Sequence, residues 1–189
     1  MEDFLRRYAD LAVRVGVAEE VFTTPDFRRV DGRVASTRPI SVYGVLLERV
    51  ELTFSSGRGE VVGAERGGAF VREQFAADDG ACRLGELALV DGNSPLARSG
   101  HLFYNILYDE NITSHIAYGQ GYTIPVPGSD TLSRDAQRER GINQSDVHTD
   151  LPIGGRRSRS TVSTRRVGRR GSSTTTGCSA EARHESYTR

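Results

Sequence analysis

Side chains able to gather around a cation stand out at six places in this 189-residue sequence. They are Glu19/Glu20 in AEEVFTTPD, Glu86 in LGELALV, Glu110 in YDEN, His115, Tyr122, and the pair His148 and Asp150 in SDVHTDLPIG. Glu86 is the most informative, because a carboxylate within an apolar strand is costly to bury unless it is paired or coordinated. As an edge-strand acid facing water it would carry no message. His148 and Asp150 stand at i and i+2, so on an extended segment they point to one side and bring a nitrogen and a carboxylate oxygen towards one point, as a divalent ion needs. Alone, such a pair is common. The stretch Tyr108 to Tyr122 crowds Asp109, Glu110, His115 and Tyr122 together without a Lys or Arg, so its balancing positive charge must come from elsewhere.

These residues need elements to position them. Residues 3–16 place Phe4, Tyr8, Leu11, Ala12 and Val15 at helical spacing, with Arg6, Arg7 and Arg14 off that stripe, and predict one amphipathic helix ending near Gly16. Residues 38–66 carry the strand signal. In them Val50, Leu52 and Phe54 alternate with Glu51 and Thr53, SSGRG forms a turn, and EVVGAE returns, which predicts an antiparallel β unit. GAFVREQFAA predicts a short helix and RLGELALV another strand; from DGNSPLARSG onward loops and short apolar runs alternate, with one polar helix around Arg134–Arg140. The order of elements indicates an α+β fold, rich in antiparallel strands, rather than alternating βαβ units.

Composition narrows the function. The chain contains no Lys, and its formal neutrality sums two unlike pieces: Met1–Gly155 has 23 acids against 16 Arg, a net of −7, whereas Arg156–Arg189 has 9 Arg against 2 Glu, a net of +7. An acidic, Lys-free body argues against nucleic-acid binding by the main domain. No apolar run approaches a membrane span and MEDFLRRYAD lacks a signal-peptide core, so the expected location is the cytoplasm. Cys82 and Cys178 sit in no metal-ligand spacing and make no disulfide framework. After Gly155 the Arg/Ser/Thr-rich sequence has the composition of a disordered tail. A basic tail evolved to bind polyanions is one reading of it.

The strings EEVFTTPD, LGELALV, NSPLARSGHLFYNILYDENITSHIAYGQGY and NQSDVHTDLPIG occur in that order across about 135 residues. Together they resemble the thermophilic aminopeptidases of the M29 metallopeptidase family. The resemblance implies a metal-binding catalytic domain over 18–155 holding two divalent ions (zinc, cobalt, manganese or magnesium) through Glu20, Glu86, His115, His148 and Asp150. It further implies Glu86 as the bridging carboxylate and Tyr122 beside the reacting centre. Asp109 and Glu110, read from their place in the same acidic stretch, are expected as outer carboxylates that orient ligands or stabilise the turn. His115 and Tyr122, seven apart, would both face that centre if a helix ran through them. The activity implied is release of N-terminal residues from peptides with a free N-terminus, with a homodimer as one candidate assembly. The rival is a non-catalytic, metal-binding remnant of such an enzyme.

The family is roughly twice this length. Residues 1–17 resemble its first helix, yet AEEVFTTPD, which follows at once, belongs much later, which implies an internal junction near Val17 or Ala18. Beyond HTDLPIGG the family continues with a segment like Glu-Ile-Asp-Gly-Val. Codons can be chosen for Ser158–Arg166 that, read from the third base, encode Glu-Ile-Asp-Gly-Val-Asp-Ala-Thr, so the tail reads as frameshifted. Sequencing the gene is expected to reveal that continuation in a shifted frame; its absence there would reject the frameshift.

Overall fold

In the computed structural model, which describes residues 20–154, the alternation of Val50, Leu52 and Phe54 becomes an inward-facing row: all three are buried. Val50 stands immediately before β5 (Glu51–Ser55), which carries Leu52 and Phe54; β5 follows β1 (Glu20–Thr23), β2 (Gly32–Ala35), β3 (Ile40–Val42) and β4 (Val45–Leu47), and precedes β6 (Arg58–Gly63). After these come α1 (Gly68–Phe75), β7 (Leu84–Val90), α2 (Pro95–Ser99), α3 (Ile106–Asp109), β8 (His115–Gly119), α4 (Arg134–Glu139) and β9 (His148–Pro152). The expected helix over 3–16 and the tail from 156 lie outside the described residues.

Two hairpins set the small sheets. Tyr43-Gly44 joins β3 to β4, and Ser56-Gly57 joins β5 to β6; all four loop residues have positive φ, 49°, 80°, 47° and 80°. That is the two-residue turn whose twist matches the flanking strands. Gly57 is also required sterically, because a Cβ there would lie 2.0 Å from the Phe27 carbonyl oxygen. The sheet β2-β5-β6, the pair β3-β4 and α1 close over a core of Ile40, Val42, Leu47, Val50, Leu52, Phe54 and Val71.

The principal sheet has the order β1-β7-β8-β9, antiparallel throughout. Residues paired directly across an antiparallel ladder share a face, and the register separates two kinds of residue. Leu87, Ile116, Tyr118 and Leu151 lie on one side and join the core. Glu20, Phe22, Glu86, Ala88, His115, Ala117, Gly119, His148 and Asp150 lie on the other. The core face is tied across elements by Gln74 of α1, which accepts from the Tyr118 hydroxyl and donates to Thr149 Oγ1 at 3.1 Å.

The mixed, antiparallel character agrees with the expected α+β class. The helical geometry expected to bring His115 and Tyr122 together is not what forms. His115 opens a central strand whose five residues are all buried, and Tyr122 follows in a loop. Pairing with strands on both sides supplies β8 with ladder partners that a lone helix would not have. The stretch expected as loops between 91 and 113 contains α2 and α3, each capped by a side chain: Ser94 Oγ accepts from Ala97 N and Asn105 Oδ1 from Leu107 N.

One carboxylate anchors the approach to β9. Asp78 accepts from Gly80 N and Ala81 N at 2.7 and 2.8 Å, and from Ser145 Oγ and Asp146 N at 2.9 and 2.8 Å. Burial alone would raise its pKa, but these donors outweigh it and hold the carboxyl below its ordinary range. A depressed folded pKa gives stability that is present above the unfolded value and lost as pH falls through the folded one. Asp78→Ala is expected to cost about 1–3 kcal/mol in urea unfolding at neutral pH, because four donors lose their acceptor. The difference from the native chain should shrink as pH falls below about 4; a constant difference would contradict this.

Candidate metal centre

Because β1, β7, β8 and β9 are adjacent, residues far apart in sequence meet on one sheet face. His115 Nε2 lies 3.3 Å from Glu20 Oε2 and 3.8 Å from Asp150 Oδ1, while His148 Nε2 lies 3.3 Å from Glu86 Oε2 and 3.6 Å from the same Asp150 Oδ1. Two overlapping groups result, Glu20/Glu86/His115 and Glu86/His148/Asp150, with Glu86 common to both; within each, one potential ligand atom per residue lies within 4.8 Å of the others. The residues beneath are small, Ala88, Ala117 and Gly119, which leaves the longer carboxylates room to converge.

The imidazoles are aimed by their backbone contacts. His148 Nδ1 meets the Gln120 carbonyl at 2.8 Å and His115 Nδ1 meets the Thr113 carbonyl at 3.3 Å. A carbonyl only accepts, so each Nδ1 carries the proton and each Nε2 faces the carboxylates, the arrangement a metal-ligating histidine uses. Glu86, His115 and Asp150 are 3%, 1% and 3% exposed. Glu20 Oε2 is buried with no hydrogen-bond partner. A buried carboxylate oxygen left in this way is suited to a cation. The donor set, three carboxylates and two imidazoles without thiolate, fits a hard or borderline divalent ion.

Electrostatics show the same demand. Burial, reinforced by Glu86 and Asp150, raises the Glu20 pKa against the opposing pull of His115 and His148. Glu110 is pushed up to about 9, first by burial and then by the charges of Asp150 and Glu20. Burial would lower His148, yet Asp150 and Glu86 carry it up to about 10. Tyr122 rises to about 12 through burial and the neighbouring acids, Glu86 first, so its phenol keeps its proton at neutral pH. Tyr122 stands at the open edge, 40% exposed, with its hydroxyl 3.4 Å from His148 Nε2 and its ring edge-on to Phe22 at 5.5 Å.

The two outer acids part company. Asp109 turns away and accepts from Phe103 N and Asn105 N at 2.7 and 3.1 Å, holding its own loop. Glu110 instead joins the acidic cluster, a role the sequence reading gave only as an outer carboxylate. The signal was the absence of any basic residue near it. A concavity of about 780 Å³ lined by Ser36, Thr37, Arg49, Glu51 and Glu65, among others, includes none of these side chains.

Residues 17–170 match the family described as thermophilic metalloprotease (M29); the match runs past the change of composition at Gly155. Over 136 residues the chain is 41% identical to aminopeptidase PepS of Streptococcus thermophilus, 43% to aminopeptidase AmpS of Bacillus subtilis and 44% to aminopeptidase T of Thermus thermophilus. Each match covers 72% of this chain and 33% of the relative, so the chain spans about a third of their length. The solved structure of wild-type AmpT from Thermus thermophilus superposes with a TM-score of 0.65 at 43% identity, over 72% of this chain and 33% of that one.

Glu110 and His148 both have folded pKa values above their ordinary ones, 4.5 and 6.5. Their contribution is therefore full below about pH 4.5 and lost as pH rises towards about 10. Thermal unfolding of the metal-free chain is expected to move to lower temperature across that window. At pH 7 a bound divalent cation should displace roughly two protons, measurable by titration calorimetry in buffers of different ionisation enthalpy. Binding without proton release would contradict this charge distribution.

Proposed function

Since the chain belongs to the M29 thermophilic metalloprotease family, we propose that it carries the metal centre of an aminopeptidase acting on peptides with a free N-terminus. The observation that supports this most is the convergence of Glu20, Glu86, His115, His148 and Asp150 from four strands onto one point. The proposed ligands are those five residues, in two groups joined by Glu86, over a domain spanning 18–155. Two divalent ions held there supply Lewis acidity for polarising a peptide carbonyl and lowering the pKa of water.

The remaining work falls to the chain's own side chains. In this reading Tyr122 donates a hydrogen bond to charge developing on the carbonyl oxygen, which its proton and its position at the open edge support. Its ring, held against Phe22 and His148, limits where that hydroxyl can point. Thr24 Oγ1 donates to the Tyr122 carbonyl at 2.7 Å and ties the loop to the end of β1.

Purified chain supplied with zinc, cobalt, manganese or magnesium is expected to release p-nitroaniline from amino-acid p-nitroanilides. Glu86→Gln should remove metal uptake and release together. Tyr122→Phe should keep uptake and lower kcat by about 100- to 1,000-fold, the effect of removing one oxyanion donor. Metal uptake by a folded chain without any release would instead establish a non-catalytic metal-binding domain.

A further inference from the structure

Glu86 reaches the site face against the simple period of its strand. Leu84 and Glu86 are two apart, and in a regular strand both would face one side. Yet Leu84 is paired with Tyr118 on the core face, whereas Glu86 is paired with Ala117, the very next residue of β8, on the opposite face. The register shifts between Leu84 and Glu86, so Gly85 is the extra residue of a β-bulge. Such a bulge bends the strand and re-aims the side chains that follow it.

The same glycine makes a second contact with the site. A Cβ on Gly85 would lie 2.3 Å from the Gln120 carbonyl oxygen and 2.5 Å from that of Gly119. The Gln120 carbonyl is the one that receives Nδ1–H of His148 at 2.8 Å. It is held from several sides: Gln120 N donates to Val147 O at 2.6 Å, and its side-chain Oε1 accepts from Ser145 N at 2.9 Å. No positive φ is involved at Gly85, in contrast to Gly119 at 96°, so what excludes a side chain is the approach of these two carbonyls.

We propose that Gly85 is a positioning residue for the metal centre. As the bulge residue it turns Glu86 onto the site face while Leu84 stays in the core, and its bare Cα admits the carbonyl that orients His148. One position thus sets two of the five converging side chains, from both of the metal-capable groups. This rests on the metal reading of the site and not on its peptidase activity.

Cobalt and zinc titrations of the full chain test it. Native chain that takes up neither ion would remove the metal reading and this inference together, whereas uptake without hydrolysis leaves the inference intact. In Gly85→Ala the affinity for both ions should fall by about 10- to 100-fold, as for loss of a ligand-orienting contact. A glycine needed only for stability would lower the unfolding temperature of the metal-free chain and leave affinity unchanged, and that result overturns the proposal. If Gly85→Ala does not fold, Glu86→Cys and Leu84→Cys in the native background decide the matter. Cobalt should give a thiolate charge-transfer band, above the native baseline, with Glu86→Cys and none with Leu84→Cys. A band from Leu84→Cys, or from neither, overturns it.

Discussion

Two buried carboxylates, a third that is partly buried, and two imidazoles converge on one sheet face, and much of the fold serves that concentration of charge. In a low-dielectric setting like charges a few ångströms apart repel strongly, and burial opposes ionisation besides. The raised pKa values of Glu20 and Glu110, and the retained proton on His148, express that conflict. Protons relieve it in the chain alone. A divalent cation would relieve it by supplying the charge that the neighbouring sequence withholds.

A sheet with two unlike faces makes the concentration tolerable. The ladder satisfies backbone groups on both sides, while the apolar face of β7, β8 and β9 packs with the small sheets and hairpin into a continuous core. The cohesion of that core comes from apolar residues on the face opposite the acidic cluster. On the site face the small side chains of Ala88 and Ala117 keep the floor low. The two faces are insulated from each other by the period of two, and the bulge at Gly85 is the one place in β7 where that period is broken.

Loops complete the centre from its edge. The segment 143–147 is pinned to the 78–81 turn by Asp78 and by Asn143, whose amide donates to the Gly80 and Gly119 carbonyls at 2.8 and 2.5 Å. His148 follows directly, so its ring enters from a fixed starting point. On the other side Asp109 closes the 103–109 loop and delivers Glu110 to the cluster. These anchors are buried or half-buried polar groups bonded to backbone, the kind that fixes one arrangement rather than adding bulk stability.

Residue type and local period were legible along the chain before any folding. The alternation at Val50, Leu52 and Phe54 gave a hairpin arm, HTD gave two side chains on one side of a strand, and an acid inside LGELALV gave a carboxylate that had to be paired. Each is a short-range signal, carried by neighbours two to four residues apart. Long-range pairing set the remainder. That His115 begins a buried central strand, rather than a helix carrying Tyr122, depends on β7 and β9 flanking it, and those partners lie tens of residues away in the chain. That Asp109 turns to its loop while Glu110 turns to the site depends on which backbone donors are near, which no spacing reveals. The bulge was hidden for the same reason: LGELALV reads as a strand carrying a single acid, and only pairing with β8 shows that Leu84 and Glu86 face opposite ways.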